Sequence, residues 1–62
     1  MPVREIASVV WDRRNHYIEV TYVGRDPEHF FGSEDVATAL AIDAGLKSVP
    51  TPEGIRRWVS RS

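Results

Sequence analysis

Not one of the 62 residues is cysteine, so whatever fold forms must hold without a disulfide. A chain of this length makes one domain, residues 1–62, and buries only about 60% of the surface its unfolded form exposes. A core of that size supplies roughly 3–5 kcal/mol and is commonly supplemented by a disulfide, a metal or a partner. With the first excluded, the metal and the partner remain.

Apolar periodicity points to strands in the first half. Residues 5–11, Glu-Ile-Ala-Ser-Val-Val-Trp, are rich in β-branched and aromatic side chains, and residues 12–15, Asp-Arg-Arg-Asn, carry turn chemistry. Residues 16–23 alternate: Ile18, Val20 and Tyr22 share one face, expected to be the core face, and Tyr17, Glu19, Thr21 and Val23 the other. After a turn at Gly24-Arg25-Asp26-Pro27, His29, Phe30 and Phe31 make a short third strand whose two adjacent phenylalanines must point to opposite faces.

Helix signals follow. Ser33 can cap orphan N–H groups, Glu34 and Asp35 complement the positive end of the dipole, and Gly45 closes a helix expected over 33–44. Val36, Ala37, Leu40, Ala41 and Ala44 fall within an arc of about 140° at 100° per residue, the width of one packed face. Residues 46–50 read as a connector ended by Pro50. Thr51-Pro52-Glu53 then offers a capping hydroxyl and a proline at the first helical position, so a second helix is expected over 52–60, with Ile55, Trp58 and Val59 on one side and Arg56, Arg57 and Arg61 on the other.

Nine Asp and Glu oppose seven Arg and one Lys, a net charge of −1, so no whole-chain field steers the protein to nucleic acid or an anionic membrane. The balance shifts locally: residues 46–62 hold Lys47, Arg56, Arg57 and Arg61 against Glu53 alone. The N-terminal Met1-Pro2-Val3-Arg4-Glu5 lacks the apolar region of a signal peptide and no run reaches membrane-spanning length, so a cytoplasmic protein is expected.

The chemistry on offer is limited. Cysteine nucleophiles are absent, His16 and His29 are the candidate bases, and neither lies in the clustered spacing of a metal site. Phosphate-loop, dinucleotide and zinc-protease motifs are missing. No enzyme activity, metal, cofactor or small-molecule substrate is therefore expected. Arg56, Arg57 and Arg61, with Arg13 and Arg14 of the first turn, are candidates for phosphate contact through their planar donors. The alternative for the same residues is a merely solvated face. Trp11, Tyr17, Phe30 and Trp58 are candidate partner-interface residues, since one helix on three strands covers one sheet face and aromatic side chains dominate binding hot spots.

Ile6-Ala7-Ser8-Val9-Val10-Trp11-Asp12, Tyr17-Ile18-Glu19-Val20-Thr21-Tyr22, Phe30-Phe31, Val36, Ala44 and Ile55-Arg56 together resemble the small KTSC domain, which runs strand, turn, strand, aromatic strand, helix and a late Ile-Arg. The resemblance covers about residues 6–56 and implies an RNA-binding role; Leu46 and Ser48 stand where that family carries Ser and Gly. Ser33-Glu34-Asp35-Val36-Ala37-Thr38-Ala39-Leu40 and Gly54-Ile55-Arg56-Arg57-Trp58-Val59 also resemble the two helices of excisionase-type helix-turn-helix proteins, with a longer connector. That resemblance implies that Arg56 and Arg57 enter a DNA groove.

The expected fold is α+β: a three-stranded antiparallel meander followed by two helices, β-β-β-α-α, packed mainly on one sheet face. The expected function is a small non-enzymatic module that binds nucleic acid through the basic C-terminal helix. The alternative is a protein-interaction module, a phage-type adaptor or inhibitor or a homodimer, using the exposed aromatic sheet face or an edge strand.

Overall fold

A strand with one apolar face must bury that face and leave the other, so the alternation over residues 17–22 sets the frame of the domain. The computed structural model describes residues 5–61; Met1 to Arg4, read above for targeting, lie outside them. Five strands and one helix follow one another: β1 (Ile6–Asp12), β2 (Tyr17–Tyr22), β3 (Glu28–Phe31), α1 (Glu34–Asp43), β4 (Lys47–Val49) and β5 (Ile55–Val59). All strands pair antiparallel in one sheet ordered β3-β2-β1-β5-β4, which puts β1 at the centre.

Ile18 and Val20 of β2 are buried as their alternation requires, opposite Trp11 and Val9 of β1, with Trp58 of β5 beside Val9. A bulge at Ala7 keeps Ile6 opposite Tyr22 on this same side, where both pack against the core. Helix α1 lies over β1 and closes the core with Ala37 and Ala41, both fully buried; the absence of bulk at these positions lets helix and sheet approach closely. Val36 and Ala44, expected in the contact arc, are exposed, and Leu40 is half-buried. The buried stripe is rotated away from Val36.

Ser33 caps α1, its Oγ accepting from the Val36 N–H at 3.4 Å. At the other end the N–H of Gly45, at φ 73°, donates to the Ile42 carbonyl and that of Leu46 to the Ala41 carbonyl, the two bonds of a Schellman motif. Buried Leu46 completes the core beside Ala41. The indole Nε1–H of Trp11 donates to the Gly32 carbonyl at 3.1 Å and so fixes the exit of β3 below the helix.

The expected β-β-β-α-α order is wrong from residue 46 onward: two strands stand where a connector and a second helix were expected. Thr51-Pro52-Glu53 starts a turn rather than a helix. The Ile55 N–H donates to the Pro52 carbonyl at 3.2 Å, and Gly54 takes φ 87°, the positive value found at the third residue of a type II turn. Beyond it, Ile55 to Val59 pairs with the free edge of β1, which a meander and two helices would have left open. The spacing Ile55, Trp58, Val59 satisfies a helix face, yet five residues with β-branched ends fit a strand equally well, and length could not arbitrate.

Candidate functional site

With α1 on one side, the other face of the sheet has no covering element among the described residues. Strand alternation and register lay its side chains out in rows. One row crosses all five strands as His29, Glu19, Val10, Arg57 and Val49. A second runs Phe31, Tyr17, Asp12 and Ile55, and a third Thr21, Ser8, Val59 and Lys47. The β3 side of this open face is aromatic. Tyr17 stacks on His29 at 5.4 Å between ring centroids and meets Phe31 edge-on at 5.8 Å. Phe31 is 79% exposed, the most exposed large apolar side chain described.

Charge on the face is distributed unevenly. Glu19 and His29 satisfy each other across the strands at 2.8 Å. Asp12 is engaged by the first turn: its Oδ1 accepts from the Arg14 N–H at 2.9 Å and its Oδ2 from Asn15 Nδ2 at 3.0 Å. The Asn15 side-chain hydrogen bond, aided by the backbone donors, holds the Asp12 carboxyl below its ordinary range despite some desolvation. Arg57 and Lys47 have no ion-pair partner among the described residues, so the β4–β5 side is positive and the β3 side aromatic.

A groove of about 720 Å³ opens at the end of the sheet between the β1–β2 turn and the β4–β5 loop, lined by Asp12, Arg13, Arg14, Asn15, Glu53, Gly54 and Ile55. The Arg13 N–H donates to the Gly54 carbonyl at 2.8 Å and ties the two loops together. The walls carry both signs of charge, so the groove makes no strong field of its own.

The five candidate phosphate-binding arginines do not form one surface. Arg13 and Arg14 sit at the turn, whereas Arg61 follows β5 near the far end of the sheet, where the Ser60 N–H reaches the Ala7 carbonyl. Arg57 lies on the open face. Arg56 lies on the helix side, bonded through Nη1 to Glu34 Oε2 at 2.6 Å, with its guanidinium 4.9 Å from the Trp58 ring centroid. The residues that resemble the second helix of excisionase-type proteins form β5 and its turn.

Of the candidate interface residues, Tyr17 is on the open face and Phe30 is exposed on the helix side at the sheet edge. Trp11 and Trp58 are core residues, 7% and 4% exposed, and offer little surface to a partner. Phe31, Val10, Val49, Ile55 and Val59 of the open face were missed. Phe31 could have been found, because alternation requires that whichever phenylalanine stands beside Tyr17 leaves the core. His16 and His29 are separated: His16 is in the β1–β2 turn at φ 50°, its ring edge-on to Trp11, and His29 is on β3. Among the described residues no cluster of three or more His, Asp or Glu side chains could hold a metal ion, and no helix is long and apolar enough to cross a membrane. Compared with protein-family models, curated proteins and solved structures, the chain matches none.

Proposed function

We propose that this chain is a small binding module whose uncovered sheet face receives a protein partner. The observation that carries the reading is Phe31, held edge-on to Tyr17 and 79% exposed on a face that no other element covers among the described residues. Interfaces are enriched at their centres in Tyr, Phe and Arg and depleted of Lys and Glu. The open face carries the enriched types, Tyr17 and Phe31 at one side, Val10, Ile55 and Val59 across the middle and Arg57 among them, with Glu19 and Lys47 also in its rows. Arg57 and Lys47 lie without an ion-pair partner among the described residues on the β4–β5 side of the face, so a partner that sets acidic side chains there, beside an apolar patch on the aromatic side, is its complement. Nucleic-acid binding through a basic C-terminal helix loses its basis, since that helix is β5 and Arg56 is engaged by Glu34.

Affinity capture from cells that encode the chain tests the proposal, comparing wild type with Phe31→Ser and Arg57→Glu. One protein should co-purify in stoichiometric amount, survive nuclease treatment and be lost with either folded variant. Retention by both variants, or release by nuclease, overturns the reading.

A further inference from the structure

The sheet has two edges, and they are protected unequally. Edge strand β4 is three residues long, opens with Lys47 and runs into Pro50, the charge and the missing donor that ordinarily discourage edge-to-edge pairing. Edge strand β3, Glu28–Phe31, is charged only at its first residue and exposes both Phe30 and Phe31, 37% and 79%. The Gly32 N–H donates to the His16 carbonyl at 2.7 Å, which sets the phase of the ladder. Phe30 and Glu28 therefore direct their backbone groups toward β2. His29 and Phe31 direct theirs outward, where no strand pairs with them among the described residues.

We infer that β3 pairs antiparallel with β3 of a second copy, joining two five-stranded sheets into one of ten strands. The register follows from the outward groups. With a twofold axis through Phe30, His29 of each chain lies opposite Phe31 of the other, and the two residues exchange both N–H···O=C bonds. Each Phe30 then faces its own counterpart on the helix side, as a non-hydrogen-bonded pair whose side chains are close. On the open side, Tyr17, His29 and Phe31 of one chain continue into the same three residues of the other. Glu28 falls opposite Gly32, so no like charges meet. Pairing β3 with β4 of the next copy would instead build an open filament, and Lys47 and Pro50 oppose it.

The contact involves about four residues a side and belongs to the small, weak class of interfaces, with a dissociation constant on the order of 100 µM. This dimer does not rest on the reading of the open face, and Arg57→Glu leaves it unchanged. Light scattering on the full chain up to about 1 mM tests it, beside His29→Pro, which removes an outward N–H without touching the β2 ladder, and Phe30→Lys, which sets two charges together on the axis. Wild type should rise to twice the chain mass with concentration while the folded variants stay at the single mass. The His29 and Phe31 amides should exchange more slowly in the concentrated sample. If one variant fails to fold, the other and the amide exchange decide. A wild type that stays at the single mass overturns the inference. So does a dimer that survives in every folded variant, or one whose protection falls on other amides.

Discussion

Arg56 and Arg57 are neighbours in the chain and lie on opposite faces of the sheet: Arg56 reaches Glu34 of the helix at 2.6 Å, and Arg57 lies among the uncovered side chains. A helix would have placed both on one basic surface. A strand divides them, one tying sheet to helix and the other on the open face.

That division can be measured. The Arg56–Glu34 pair is charge-assisted but 42% exposed on each side, so solvent screens it. In urea unfolding, a double-mutant cycle with Arg56→Met and Glu34→Gln should give a coupling of about 0.5–1 kcal/mol that shrinks in 1 M salt. Arg57→Ala should change stability by less than about 0.5 kcal/mol. Equal effects of the two arginines would contradict their placement.

Gly32 and Ile18 constrain each other. A Cβ at Gly32 would come within 2.6 Å of Ile18 Cδ1, and Ile18 is fully buried with little freedom to move aside. Gly32→Ala should cost about 1–3 kcal/mol as overpacking. Ile18→Val should cost roughly 0.5–1.5 kcal/mol by loss of that same methyl. The double variant should cost less than the sum of the two, because the atom that clashes has been removed. Simple additivity in chemical denaturation would show that the strain lies elsewhere.

The Asp12 carboxyl, held below its ordinary range by Asn15 and the Arg14 N–H, links the first turn to pH. A depressed carboxylate stabilises the fold above its unfolded value, near 3.8, and loses that contribution as pH falls through the folded value. Wild type should therefore be more stable than Asn15→Ala at neutral pH. The gap between their thermal midpoints should close as the solution is acidified below about pH 3.8. A gap independent of pH would mean that Asn15 acts through turn conformation alone.

The elements of residues 5–45 are legible from local chemistry because the signals that start and stop them have one structural outcome. Ile18 and Val20 alternate over six residues, long enough to exclude a helix, and Ser33 and Gly45 bracket ten residues of α1. After Leu46 the signals are short and the outcome is decided at a distance. What makes Ile55–Val59 a strand is the unpaired edge of β1, more than forty residues earlier, and no local pattern reports that edge. The site was misread for the same reason. Aromatic character alone makes Trp58 an interface candidate, whereas in β5 it stands beside Val9 within the core.

Gly54 separates the two readings of the C-terminal segment by the sign of a single effect. Its φ is 87°, and a Cβ there would meet nothing within 4 Å, so substitution costs backbone energy and no packing. In the turn between β4 and β5, Gly54→Ala should destabilise by about 1–2 kcal/mol, since alanine resists positive φ. Inside a helix over 52–60 the same substitution would stabilise by roughly 0.5–1 kcal/mol, because glycine there loses more backbone entropy than alanine. Urea unfolding of the variant distinguishes the two, and far-UV circular dichroism adds a check: helix content should not rise with the substitution. A stabilised variant with more helix would place a helix where β5 stands, and would leave the edge of β1 unpaired.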